Sequence, residues 1–219
     1  MPKQTFFNLP EEKRQLIVDI AIDEFAQNDY ANVSISRIVA RAGIAKGSFY
    51  QYFEDKQDLF GYLFDLIVET KSEMFSLDHP DPKRVGIFSY MRWLLETSLQ
   101  FEARYPRFSQ IGYRMLKDGS QAEAMVARAR AGSRQFYRQL VALGKAQGDI
   151  ASDIDEELAA FIFDLFISDL GRYMLQRVTA ERGSDWQGQQ PFFEFPEVRA
   201  TYEQALRILE FGMSTNGQV

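Results

Sequence analysis

The chain has 219 residues, 46% hydrophobic and 14% aromatic, enough apolar material for one large or two modest packed domains and too much for a disordered chain. A net charge of −6 argues against a nonspecific coat on nucleic acid, and the absence of cysteine excludes disulfides, thiolate catalysis and Cys–zinc sites. The single histidine, His79 in the turn HPDP, excludes a multi-histidine metal site; with no signal pattern and no apolar run of membrane-spanning length, a soluble cytoplasmic protein without metal or cofactor is expected.

Residues 1–8 read as a short arm, in which Phe6 and Phe7 make only a brief apolar patch. Asn8 with Glu11 forms an Asn-x-x-Glu helix start, and Pro10 fits the first turn. Leu16, Ile17, Ile20, Ala21 and Phe25 then draw the apolar stripe of a helix that runs to about Asn28. The stretch from Ser34 to Phe60, SISRIVARAGIAKGSFYQYFEDKQDLF, organises the chain. Ser34 is placed to cap a short helix carrying Ile35, Ile38, Val39 and Ala42; Gly43 suits the left-handed turn that ends it. A second short helix spans Lys46 to Phe53, with Phe49 and Phe53 inward. Lys46, Gly47, Ser48, Tyr50 and Gln51 are left to project outward, as the second helix of a helix–turn–helix does toward the DNA major groove.

In these residues the chain resembles the TetR family of bacterial transcriptional regulators. The family's segment runs Ala-Gly-hydrophobic-x-Lys-Gly-Thr/Ser-hydrophobic-Tyr-x-Tyr-Phe-x-x-Lys-x-x-Leu. On its places fall Ala42, Gly43, Ile44, Lys46, Gly47, Ser48, Phe49, Tyr50, Tyr52, Phe53, Lys56 and Leu59. The likeness is close over roughly the first 60 residues; beyond them it rests on length and helical pattern. Three positions depart from the family. Ala45 stands where Ser or Thr is frequent, Arg37 replaces a common Asp, and Asp29 sits where the first helix usually stops at Gly, although Asn28 and Asp29 both tolerate left-handed geometry.

Asp55 opens a fourth helix that reaches about Ser76 with Leu59, Phe60, Leu63, Phe64, Ile67 and Phe75 inward. LDHPDPK punctuates the chain, and further helices are expected at about 82–104, 107–117 and 120–148, the last opened by a capping box from Ser120 to Glu123. Asp155 to Arg182 is apolar nearly all round, so its second face needs a cover, for which another subunit is the natural candidate. After a Gly/Gln-rich loop at 183–190, followed by Phe192, Phe193 and Phe195, a last helix starts near Pro196. The fold expected is all-α, with about nine helices. Residues 1–56 are expected to form a DNA-binding domain and residues 57–219 an effector-binding and dimerisation domain.

The chemistry of the outward residues assigns roles. Gln51 can pair with an adenine edge, and Lys46 can reach guanine or phosphate. Tyr50 and Tyr52 offer hydroxyls to phosphate, Gly47 permits close backbone approach, and Ser34 and Lys56 stand at helix starts that favour a phosphate. Ser48 belongs to the same outward set. Arg37, Arg41, Lys46 and Lys56 form a local basic face on an acidic body, which predicts weak nonspecific affinity. The resemblance implies an effector pocket, and Phe64, Phe88, Met91, Trp93, Phe101, Phe108, Tyr113, Phe136, Tyr137 and Phe166 are the candidates for lining it. For any one of them taken singly, plain core packing is the better account. Such a lining suits an apolar or aromatic effector, whereas Asp164 and Asp169 would suit a cationic one; Asp169 can equally pair with Arg172. The dimer face is expected along Ala160, Asp164, Ser168, Gly171 and Leu175, with Leu206 and Leu209 of the last helix. Phosphate loops, metal-ligand spacings and nucleophile–base sets are absent from the sequence, so no enzyme is expected. The function expected is a homodimeric, ligand-responsive repressor on an operator in double-stranded DNA; the competing reading is an interaction protein that keeps the fold without reading an operator.

Overall fold

The computed structural model describes residues 1–117, 123–182 and 195–213, and within them every regular element is helical. In chain order these are α1 (Gln4–Phe7), α2 (Glu11–Gln27), a 3-10 turn (Tyr30–Asn32), α3 (Ile35–Arg41), α4 (Lys46–Tyr52), α5 (Lys56–Ser76), α6 (Pro82–Val85), α7 (Ile87–Arg104), α8 (Pro106–Lys117), α9 (Glu123–Gln147), α10 (Glu156–Arg182) and α11 (Pro196–Met213). No helix among the described residues is long and apolar enough to cross a membrane. The Ser120 capping position, the 183–190 loop and the Phe192–Phe193 pair lie outside the described residues.

The expected nine helices become twelve elements among the described residues, for local reasons. The arm coils into α1, the chain makes a 3-10 turn before α3, and the helix expected at 82–104 breaks at Gly86. There φ is +82°, a geometry that α-helix cannot continue through. Asp81 caps the first piece by accepting the Lys83 amide at 2.9 Å. The second piece, α7, takes its cap from far along the chain: the Asp149 carboxylate accepts the Ile87 amide at 2.9 Å.

Two details of α2 differ from expectation. Asn8 does not cap it; Pro10 holds that place, its carbonyl accepting the amides of Lys13 and Arg14 at 3.0 Å, while Asn8 Oδ1 accepts from Gln4 instead. Leu16 is 44% exposed, whereas Ile17, Ile20, Ala21 and Phe25 are buried as the stripe predicts. The helix also ends without left-handed backbone: Asn28 and Asp29 are both extended.

The chain forms two compact units. The first contains Met1–Met74 and Tyr105–Glu123; the second contains Phe75–Arg104 and Ala124–Val219. By packing, the first unit thus holds more of the chain than residues 1–56. Most of α5 and all of α8 belong with the helix–turn–helix, because α8 packs on α2 through two arginines: Arg107 reaches Asp23 at 2.6 Å, and Arg114 donates to the Ala26 carbonyl at 2.9 Å and to Asp29 at 2.5 Å.

In the second unit α7, α9, α10 and α11 supply two apolar clusters. One gathers Ile87, Met91, Leu94, Val141, Ile150 and Phe163; the other joins Leu95 and Leu99 to Met174, Val178, Tyr202 and Leu206. Gly144 sets how closely α9 approaches its neighbours, since a Cβ there would lie 2.8 Å from both Ile87 and Ile150. The Tyr202 hydroxyl donates to the Arg92 carbonyl at 2.6 Å, anchoring α11 on α7.

Candidate nucleic-acid interface

Helix α3 begins at Ser34, whose hydroxyl accepts the Arg37 amide at 3.3 Å. It ends at Gly43, with φ at +62°, where the Ile44 amide reaches back to the Val39 carbonyl at 3.0 Å. This bond is the Schellman closure that left-handed glycine allows. The Lys13 ammonium adds a donor to the Ala42 carbonyl at 2.6 Å. These contacts fix the turn from both sides.

Helix α4 is thereby held with Phe49 and Phe53 fully buried. Lys46, Gly47, Tyr50 and Gln51 are exposed, and Ser48 and Tyr52 are half-buried. Ala45 supplies no side-chain cap. A Cβ at Gly47 would meet nothing within 4 Å, so the protein's own packing does not require glycine there. Tyr50 stands edge-on to Phe49 at 5.3 Å between ring centres, which steers its hydroxyl end outward.

The basic face is smaller than the sequence suggests. Glu24, only 4% exposed, accepts the Ser34 amide at 3.0 Å and Arg37 Nε at 2.8 Å. Arg37 also donates to the Asn32 carbonyl at 2.6 Å. Arg41 pairs with Asp23 at 2.9 Å. Lys56, expected on a phosphate, turns inward: its ammonium donates to the carbonyls of Tyr30 (2.7 Å), Ala31 and Val33 (both 3.3 Å) and lies over the Tyr30 ring. Among the described residues, Lys46 alone of these four has a side chain with neither an ion pair nor a hydrogen bond. The sequence signal for Glu24 is a carboxylate inside the apolar stripe of α2; nothing local foretells the Lys56 contacts, whose partners lie 23 to 26 residues away.

Salt dependence should separate the two lysines. Lys46→Ala is expected to reduce the slope of log affinity against log salt by about one per half-site, whereas Lys56→Ala should leave the slope alone. The latter should instead lower stability by about 2 kcal/mol, because it leaves backbone carbonyls without their charged donor. Duplex titrations at several salt concentrations, with thermal melts of both variants, check this. A slope reduced by Lys56→Ala with no change in melting would return that side chain to the phosphates.

Burial pushes the Glu24 carboxyl upward, but the Arg37 guanidinium and the Ser34 amide outweigh it and hold the group below its ordinary value. A carboxyl with a lowered folded pKa contributes stability above its unfolded pKa and loses it as pH falls through the folded one. Glu24→Gln should therefore be less stable than the parent at neutral pH and show a shallower loss below about pH 4.5. Denaturant melts across pH 2–7 measure this; parallel acid limbs in the two proteins would refute it.

The candidate pocket residues are found in both units. Phe64 and Phe108 are half-buried in the first unit; Met91, Tyr137 and half-buried Phe88, Trp93 and Phe166 belong to one core cluster of the second. Phe101 is buried, and Phe136, at 38% exposed, turns away from that core. Trp93 stacks on Tyr90, whose hydroxyl meets the Nε2 of His79, an exposed residue of its turn, at 2.9 Å. Asp164 is engaged by the Ser133 hydroxyl at 2.5 Å. The side chain of Tyr113 lies outside the described residues.

The residues expected on the dimer face differ in their exposure within the single chain. Ala160, Leu206 and Leu209 are buried in the second unit's core, and Asp164 is half-buried on Ser133. The exposed apolar residues of the same helices are Leu158, Phe161, Leu165 and Tyr173 on α10, with Ile208 (74%) and Phe211 (65%) on α11. Ser168, Gly171 and Leu175 sit on α10 with side chains outside the described residues.

A short helix with a buried aromatic face and an exposed polar one, set by a Gly-closed turn, defines a helix–turn–helix, the architecture of a DNA-reading head. Residues 17–63 match the family described as bacterial regulatory proteins, tetR family, and residues 85–214 match the tetracyclin repressor-like C-terminal domain. The chain belongs to the TetR family and is a DNA-binding transcriptional regulator. A TetR family transcriptional regulator from Chloroflexus aurantiacus J-10-FL is 43% identical, with 98% of this chain and 99% of that one covered and a TM-score of 0.84. The probable acrEF/envCD operon repressor of Escherichia coli K12 is 27% identical over 69% of this chain and 70% of its own length. FadR of Bacillus subtilis, solved with stearoyl-CoA, shares the fold at 17% identity and a TM-score of 0.65, covering 89% of this chain and 96% of its own.

Proposed function

We propose that the chain is a homodimeric repressor of the cytoplasm that reads a two-fold operator through α4 and leaves it when a small apolar or aromatic molecule binds. The observation that carries the reading is the outward face of α4. Lys46, Tyr50 and Gln51 stand exposed in a row, beside a glycine that the chain's own packing does not need. Gln51 matches an adenine edge and Lys46 a guanine edge or phosphate, while Tyr50, Tyr52, Ser48 and the Ser34 hydroxyl lie on the same head for backbone contacts. In this reading residues 1–56 carry the DNA contacts and residues 57–219 those to effector and partner. The exposed apolar residues of α10 and α11 support the second copy, since such a stripe is costly to leave in water. Proteins of this fold have been solved with stearoyl-CoA and, from Saccharomonospora viridis, with choline. The aromatic supply of the second unit favours an apolar molecule here.

Selection of duplexes from a random pool by the purified full chain tests the reading. A palindromic site with half-sites about one helical turn apart is expected. Recovery of no preferred sequence would favour an interaction protein that keeps the fold without an operator.

A further inference from the structure

We propose that the amino-terminal arm is the carboxyl-terminal cap of the reading helix and positions Gln51 and Tyr50 for sequence recognition. The inference rests on α4 being the reading helix. That helix is seven residues long, too short to be stable alone. Its last internal bond runs from the Phe53 amide to the Phe49 carbonyl, after which the backbone turns extended. The carbonyls of Tyr50, Gln51 and Tyr52 are therefore left without helical partners, the usual deficit of a helix end.

The arm supplies a donor to each in turn. The Lys3 ammonium reaches the Tyr50 carbonyl at 3.0 Å, the Thr5 hydroxyl donates to the Gln51 carbonyl, and the Lys3 backbone amide donates to the Tyr52 carbonyl at 2.8 Å. Phe6 anchors the arm from beneath. It is fully buried, 4.9 Å from Phe53 and 5.6 Å from Tyr62 between ring centres, so an apolar patch too brief to stand out in sequence supplies a core residue of the head. The Lys3 charge also sits at the negative end of the α4 dipole. Two of the three carbonyls held belong to residues whose side chains face outward to read. A binding constellation must be held within about 0.5 Å and 10–20° to work, and here the hold comes from outside the helix.

Thr5→Val removes one donor without altering charge or size, and Thr5→Ser keeps it. With a duplex selected from a random pool by the wild-type full chain, Thr5→Val should weaken binding by about 3–10-fold per half-site, and Thr5→Ser should restore it. Affinity for a scrambled duplex, which depends on charge, should stay within about twofold. Amides of Tyr52 and Phe53 should exchange hydrogen faster in Thr5→Val, with the rest of the head unchanged. Phe6→Ala should exaggerate both effects where it folds. Equal weakening on selected and scrambled duplexes, or unaltered exchange and affinity in Thr5→Val, would overturn the proposal. If the wild-type chain selects no duplex, it is the reading of α4 that fails; the exchange measurement still decides whether the arm caps it.

Discussion

Gln51→Ala is expected to lower affinity for the selected operator by about 1–3 kcal/mol per half-site, 5- to 150-fold, and to relax preference at a single base pair in each. The side chain is exposed and its backbone carbonyl is held by Thr5, so truncation removes a base contact without disturbing the helix that presents it. Because a two-fold complex carries the residue twice, the loss on a full operator should approach the square of the single half-site factor. Anisotropy titrations with the selected duplex and with variants at each base pair supply the measurement. A uniform loss across all variants would assign Gln51 to the backbone, and an unchanged affinity would remove it from the interface.

Charge placed on the exposed apolar residues of α10 and α11 should prevent the proposed dimer from forming. Phe161→Glu with Ile208→Glu puts two carboxylates per protomer where the proposed partner would bury apolar side chains, and each buried unpaired charge costs several kcal/mol. The expected product is a folded monomer by light scattering, with operator affinity reduced to that of one half-site. The contrast is Leu206→Glu, which should instead unfold the second unit, because Leu206 is 2% exposed and lies within its core. A double variant that stays dimeric would place the interface on another surface.

What is legible in the sequence is local. Ser34 and Gly43 bracket α3, and Phe49 and Phe53 four apart name the buried face of α4, because each signal acts within one turn of its own helix. The face of α10 is not legible. A helix apolar all round carries no periodic mark of which side meets its own core, so the sequence neither buries Ala160 nor exposes Phe161, as the fold does. Lys56 and Arg37 escape sequence reading for a different reason. A basic residue near a reading head looks the same in sequence whether it awaits a phosphate or already serves the Tyr30 carbonyl or Glu24. Asp149 lies just past the helix expected at 120–148, and only the fold brings it 62 residues back to the start of α7.

The membership of α8 in the first unit bears on how the protein comes into being. Arg114 meets the Ala26 carbonyl across 88 residues of chain, and the whole of α6 and α7 lies between them. Contacts of such separation must close a long loop before they return any stabilisation, which slows folding. During synthesis the helix–turn–helix will leave the ribosome well before the α8 residues that complete its unit, and it must wait with the α8-facing side of α2 open to water. The nascent head is therefore at its most aggregation-prone while α5 to α7 are being made, and a fragment cut after α5 would keep that vulnerability for good.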